Sequence, residues 1–232
     1  MSEVIDRIKS RGYWSIVIRP TSFVENRLPT LESALALVQR CAVSIEKRGW
    51  PFPQIELERN LIRGDKDEWV GQEMDWHIHV ETWRMYKSAQ FVYLGGFWSD
   101  WKDQSLWPGP AQGWASESQW LYVGEVIIKL WEAHRFAAGM AVALPEFESF
   151  SIDAKLVGLK DRVLRLGMFG RGELDERILI SNMLLHKETL SGERIIGGSD
   201  EIALSAAAAI FQQVGWDPGL ELLRAIREEL LR

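Results

Sequence analysis

The sequence predicts an α+β fold, with one or more antiparallel sheets packed around a long central helix and a helical pair at the C-terminus. Three observations predict it. Strand-like segments come in runs, over 13–98 and again over 150–190, rather than alternating singly with helices as in a doubly wound parallel sheet. Residues 117–144 carry helical patterning over a length that strands do not reach. Residues 199–232 read as two helices parted by Gly215-Trp216-Asp217-Pro218, a stop followed by a fresh start. One domain spanning 1–232 accommodates this order. A two-lobed arrangement does so too, with a Trp-rich β lobe over 12–116 and a three-strand, two-helix lobe over 145–232, joined by helix 117–144.

YWSIVIRP (13–20) is β-branched and aromatic and ends at a proline, which predicts a strand. Thr30 is placed to cap a helix over 31–40, with Glu32 in its first turn. Two prolines and a glycine make Gly49-Trp50-Pro51-Phe52-Pro53 irregular, with a short strand expected on either side. From Glu68 to Trp98 the period is two. Asp75, His77, His79 and Glu81 alternate with Trp76, Ile78, Val80 and Thr82, which predicts one strand through all of them. TWRMY, the turn KSAQ, and FVYLGGFW predict a hairpin, with Gly95 and Gly96 expected at its distal end or in a bulge. Residues 99–117 form a loop rich in Trp, Pro and Gly, too long for a casual connector.

In the helix over 117–144, Glu125, Lys129 and Glu132 fall on one stripe and most of the rest is apolar. These charges make it a core helix rather than a membrane span. FSIDAKLVGL, DRVLRLGMF and ERILISNMLLHKETL predict three strands with a turn at GRGELD. Ser199 is placed to cap the next helix, which runs to about Val214, and Asp217 with Pro218 starts the last one.

With 47% apolar and 26% charged residues, the composition is that of a globular protein rather than a disordered one. A net charge of −6 argues against a protein that grips nucleic acid chiefly by neutralising phosphates, while leaving room for a local basic patch. Cys41 is the one cysteine, which rules out an internal disulfide and cysteine-based zinc motifs; a reducing, cytoplasmic compartment is the expectation. MSEVIDRIKS lacks the apolar run of a signal peptide.

Four features bear on chemistry. On a single strand Asp75, His77, His79 and Glu81 share one face, and His-x-His suits a divalent metal, with Asp75 or Glu81 as a further ligand or general base. The plainer reading, the wet face of a half-buried strand, outweighs it. A divalent metal is the one cofactor the sequence raises, and none is favoured. Of the 12 tryptophans, Trp98, Trp101, Trp107 and Trp114 bracket or occupy the long loop. They are candidate binding residues, as rings that stack on a base, a sugar or a proline-rich peptide, or that sit at a protein interface. A satellite core under the loop is the plainer reading. Lys155, Lys160, Arg162, Arg165, Arg171 and Arg177 are interleaved with acidic residues and read as a mixed, solvated face. Arg19 and Arg27 flank the exit of the first strand and are candidates for an anion, weighed against an ordinary surface role. The motifs of a P-loop, a serine nucleophile elbow and a helical zinc hydrolase are missing, so no catalytic constellation is complete.

RGYWSIVIRP, VSIEKRGWPFP, TWRMYKSAQFV and FQQVGWDPGLELLRAIREELL together resemble segments of a family of uncharacterised bacterial proteins. Similar segments occur near or joined to Schlafen-like nucleic-acid-associated modules and in defence-type gene neighbourhoods. The resemblance implies an accessory or sensor role and carries over no catalytic residues. The functional expectation is a non-enzymatic recognition, adaptor or sensor subunit with a protein partner and no membrane. The alternatives are a metal-dependent hydrolase or nuclease using His77 and His79, and a nucleic-acid sensor stacking bases on the loop tryptophans.

Overall fold

Every second residue of YWSIVIRP is buried, with Trp14, Ile16, Ile18 and Pro20 on one side of the strand. The computed structural model describes residues 2–45, 51–55, 61–76, 79–101, 120–144, 149–166 and 177–231. It places that strand third from one edge of a seven-stranded antiparallel sheet. In chain order the elements are α1 (Glu3–Lys9), β1 (Tyr13–Pro20), α2 (Leu31–Cys41), β2 (Leu61–Arg63), β3 (Trp69–Trp76), β4 (His79–Tyr86) and β5 (Phe91–Gly96). They continue with β6 (Trp120–Tyr122), α3 (Val123–Ala143), β7 (Ser149–Val157), β8 (Val163–Arg165), β9 (Arg177–Ile178), β10 (Met183–Ser191), α4 (Gly192–Gln212) and α5 (Leu220–Leu231). The large sheet runs β10-β7-β1-β5-β4-β3-β2, and a small sheet runs β6-β8-β9 with β6 and β8 parallel.

The two faces of the large sheet differ. One face carries Ile16, Phe91, Tyr93, Trp83, Ile152 and Leu156 and packs on α2, α3 and α4 through a single core. α3 is buried nearly all round because α2, α4, α5 and the sheet surround it. On the opposite face α1 covers the end formed by β3, β4 and β5, where Ile8, Val80 and Trp101 form a separate cluster. Among the described residues no helix is long and apolar enough to cross a membrane.

Several boundaries differ from the sequence reading. The single strand expected through 75–81 is two strands meeting in a hairpin, with Trp76 paired to His79. The sequence alternates polar and apolar residues without interruption over 75–82, so its pattern does not reveal the break. Gly95 and Gly96 do end β5, the distal end expected for the hairpin, and they sit in regular ladder positions there. A Cβ at Gly95 would meet the Tyr93 hydroxyl at 2.2 Å, and one at Gly96 would meet Trp101 Nε1 at 2.2 Å. The long helix begins at Val123, after the short strand β6. The segment 176–190 is two strands, not one. α4 starts at Gly192, capped by Ser191, whose Oγ accepts from Arg194 N–H at 3.2 Å; Ser199 is buried inside the helix. Gly197 and Gly198 lower helix propensity there, and packing against α3 overrides it. The last helix starts at Leu220, and Asp217 instead accepts from Gln212 Nε2 at 2.9 Å.

Candidate functional site

Among the described residues, those singled out in the sequence do not converge on one site. Antiparallel pairing sets Met74 opposite Glu81 and Asp75 opposite Val80, so Asp75 and Glu81 lie on opposite faces of the sheet. This corrects the shared face on which the four-residue metal set rests. Both Asp75 oxygens accept from Arg7 of α1. His79 is on the helix-side face with Glu81 and stacks on Trp76 at 6.3 Å. His77 lies outside the described residues. Among the described residues no group of three His, Cys, Asp or Glu side chains is arranged to hold a metal. Trp101 is buried between the guanidinium groups of Arg7 and Arg11, at 4.8 and 4.4 Å. Trp98 is half-buried and stacks on Tyr122 at 5.3 Å. Trp107 and Trp114 lie outside the described residues. Arg162 is not on a solvated face: its guanidinium binds both oxygens of Asp100, at 2.7 and 2.5 Å, in the interior.

Two buried polar networks lie on the helix side of the sheet, and neither was visible in the sequence. In the first, Glu81 accepts from Gln54 N–H at 3.0 Å and from the Tyr93 hydroxyl at 3.0 Å. Lys129 reaches Tyr93 at 3.2 Å and Glu132 at 2.9 Å. Burial raises the Glu81 carboxyl, although Lys129 opposes this, and burial with the Glu81 and Glu132 charges raises the Tyr93 phenol. Glu125 is pushed up to about 8 by burial, against the pull of Lys129. In the second network His134, fully buried on α3, donates from Nδ1 to Leu130 O at 2.6 Å and sets Nε2 2.6 Å from Glu188 Oε1 on β10. His186 Nε2 is 3.1 Å from the same oxygen. Burial works to raise Glu188, but hydrogen bonds from His134 and His186 overturn this and hold it at about 2. This second network ties β10 to the central helix.

β10 is an edge strand, and the described residues close its edge over only part of its length. The Gln213 side chain accepts from Leu185 N–H at 3.3 Å and donates to Leu185 O at 3.0 Å. Ser181 Oγ does the same for Met183, accepting at 3.2 Å and donating at 2.6 Å. The main chain of Met183 and Leu185 therefore faces away from β7, and by strand alternation so does that of Lys187 and Thr189. No side chain or strand among the described residues meets the outward N–H and C=O groups of Lys187 and Thr189.

The same two residues project their side chains onto the open face of the sheet. Thr189 pairs with Ser151, and Ser151 pairs with Arg19, so the three form a row across β10, β7 and β1. With strands about 4.8 Å apart, the row spans about 10 Å. Around it is a groove of about 310 Å³ lined by Arg19, Pro20, Thr21, Ser22, Phe23, Ser88, Gln90, Ser151, Lys187 and Thr189. None of these is acidic. Lys187 faces Asp153 at 3.6 Å, and Ser151 Oγ donates to Asp153 at 3.2 Å. Among the described residues the side chains of Arg19, Ser88, Gln90 and Thr189 have no hydrogen-bond or ionic partner. Of these, Arg19 alone was marked by the sequence, by its place at the exit of the first strand.

No family model, curated protein or solved structure matches this chain.

Proposed function

We propose that the chain is a recognition or adaptor module that takes an extended segment of a protein partner as an added strand on β10. The observation that carries this reading is the partial closure of the edge: Met183 and Leu185 are capped by Ser181 and Gln213, while among the described residues nothing caps Lys187 and Thr189. Exposed edge strands are ready templates for pairing, and proteins usually blunt them. Here the blunting stops at the two residues that also face the groove. An added strand would make up to four backbone hydrogen bonds there, each about 1 kcal/mol net, with side-chain contacts setting specificity. The His134–Glu188 contact holds the strand in place from behind, so little ordering of β10 accompanies binding.

The occupant is a different chain rather than a second copy. Pairing two copies so that their open residues match sets Glu188 opposite Glu188 and brings two Lys187 side chains close, and like charges across a ladder are destabilising. A partner segment with an acidic side chain beside Lys187 is favoured instead. Lys187→Pro tests the reading, because proline deletes only an outward N–H and spares the ladder to β7. Expected is loss of the partner from the proline variant and its retention by Lys187→Ala; equal retention by both contradicts strand addition.

A second reading, an enzyme, has one supporting observation. Glu81, Glu125 and Tyr93 have displaced proton affinities beside Lys129, a pattern found at reactive sites as well as in structural networks. Stoichiometric metal in protein purified from its host, lost in His79→Ala, would favour it.

A further inference from the structure

The groove beside β10 points to a ligand of its own, independent of strand addition, because its cationic anchor Arg19 stands two strands in from the edge. We infer that it binds a phosphate monoester whose organic part is a flat ring, a ligand of mononucleotide size. Arg19 supplies a planar fork of donors suited to two phosphate oxygens, and its guanidinium is unengaged among the described residues. Ser88, Thr189 and the amide of Gln90 add neutral donors, and Lys187 adds a second charge that Asp153 offsets in part. The lining carries two cations and no carboxylate, with Asp153 beside it against Lys187 and Ser151, on a chain that is negative overall. A volume of about 310 Å³ is at the small end of organic-ligand pockets, more than a bare phosphate fills. Phe23, on the same rim, is 79% exposed and offers a flat apolar face to a ring. A ring on the phosphate accounts for that exposed aromatic residue, which an inorganic anion does not.

The experiment is calorimetric titration of the full chain, prepared in phosphate-free buffer, with adenosine 5′-monophosphate, adenosine and inorganic phosphate as separate probes. The monophosphate binds, inorganic phosphate competes with it, and adenosine alone is bound far more weakly. Arg19→Ala weakens the monophosphate by tenfold or more, on the order of one charge-assisted hydrogen bond. Arg19→Lys, which keeps the charge and loses the fork, falls between. Phe23→Ala weakens the monophosphate and leaves inorganic phosphate unchanged. Arg19 and Phe23 are exposed, so these variants keep the melting temperature of the parent. No heat with either phosphate probe at millimolar concentration, or unchanged monophosphate affinity in Arg19→Ala, overturns the inference. Either result leaves the strand-addition reading intact, since that rests on the backbone of Lys187 and Thr189.

Discussion

Glu125 is 8% exposed, and burial pushes its carboxyl from 4.5 to about 8. Between these values the folded chain holds a proton that the unfolded chain has released. Stability therefore falls as pH rises through this window, by up to about 1.4 kcal/mol per pH unit for one proton. Glu81 is raised as well and adds the same sign. Glu188 runs the other way: burial would raise it, but the two histidines hold it at about 2, so its contribution is full above 4.5 and is lost as pH falls toward 2. Urea unfolding across pH should give greatest stability just above 4.5, and Glu125→Gln should flatten the decline toward pH 8. A level profile between pH 5 and 8 in the parent protein contradicts this assignment. Arg162→Ala strands the Asp100 carboxylate, 3% exposed, with the Gly12 N–H at 2.8 Å as its remaining partner among the described residues. The expected cost is about 3–5 kcal/mol in urea unfolding. Little of this was legible in the sequence. Arg162 looked like one of several surface cations because its partner lies 62 positions away. Glu81 was singled out for metal chemistry, whereas its neighbours Gln54, Tyr93 and Lys129 come from three other segments.

Elements were more legible than residues where the signal is local. β1 runs over the eight residues expected, and α2 begins at Leu31 behind Thr30, whose Oγ1 accepts from Ser33 N–H at 3.1 Å. Ser33 Oγ returns a bond from the Thr30 N–H, so Thr30→Ala should cost about 1 kcal/mol in chemical unfolding. The start of α4 was misplaced because Ser191 precedes two glycines that depress the helical signal, and the helix is held by α3 rather than by propensity. α1 is too short for a period to show, and it forms because Ile8 finds Val80 and Trp101 across the sheet. The edge of β10 gives a prediction of its own. In the free chain the amides of Lys187 and Thr189 should exchange with solvent deuterium much faster than those of His186 and Glu188, which face β7. Equal protection along the strand would mean that the edge is already closed.

At the scale of the molecule, helices bury one face of a seven-stranded sheet, while among the described residues the other is covered by α1 and Trp101 at one end. The α+β class and the central helix with its C-terminal pair were legible because they follow from runs of strand pattern and one long apolar segment. The strand order was not, since pairing β1 between β5 and β7 depends on partners distant in the chain, such as Ile18 with Phe91 and Tyr13 with Val157. That order makes β10 an edge, sets Arg19 in line with Thr189, and so creates the surface on which the functional proposal rests. The measurement that tests it most directly is native mass spectrometry of the chain purified from its host as the parent, as Lys187→Ala and as Lys187→Pro. The account predicts a partner chain on the parent and on the alanine variant, and a bare chain for the proline variant with its melting temperature retained. A partner that stays on the proline variant, or a parent chain that carries none, contradicts recognition through the β10 edge.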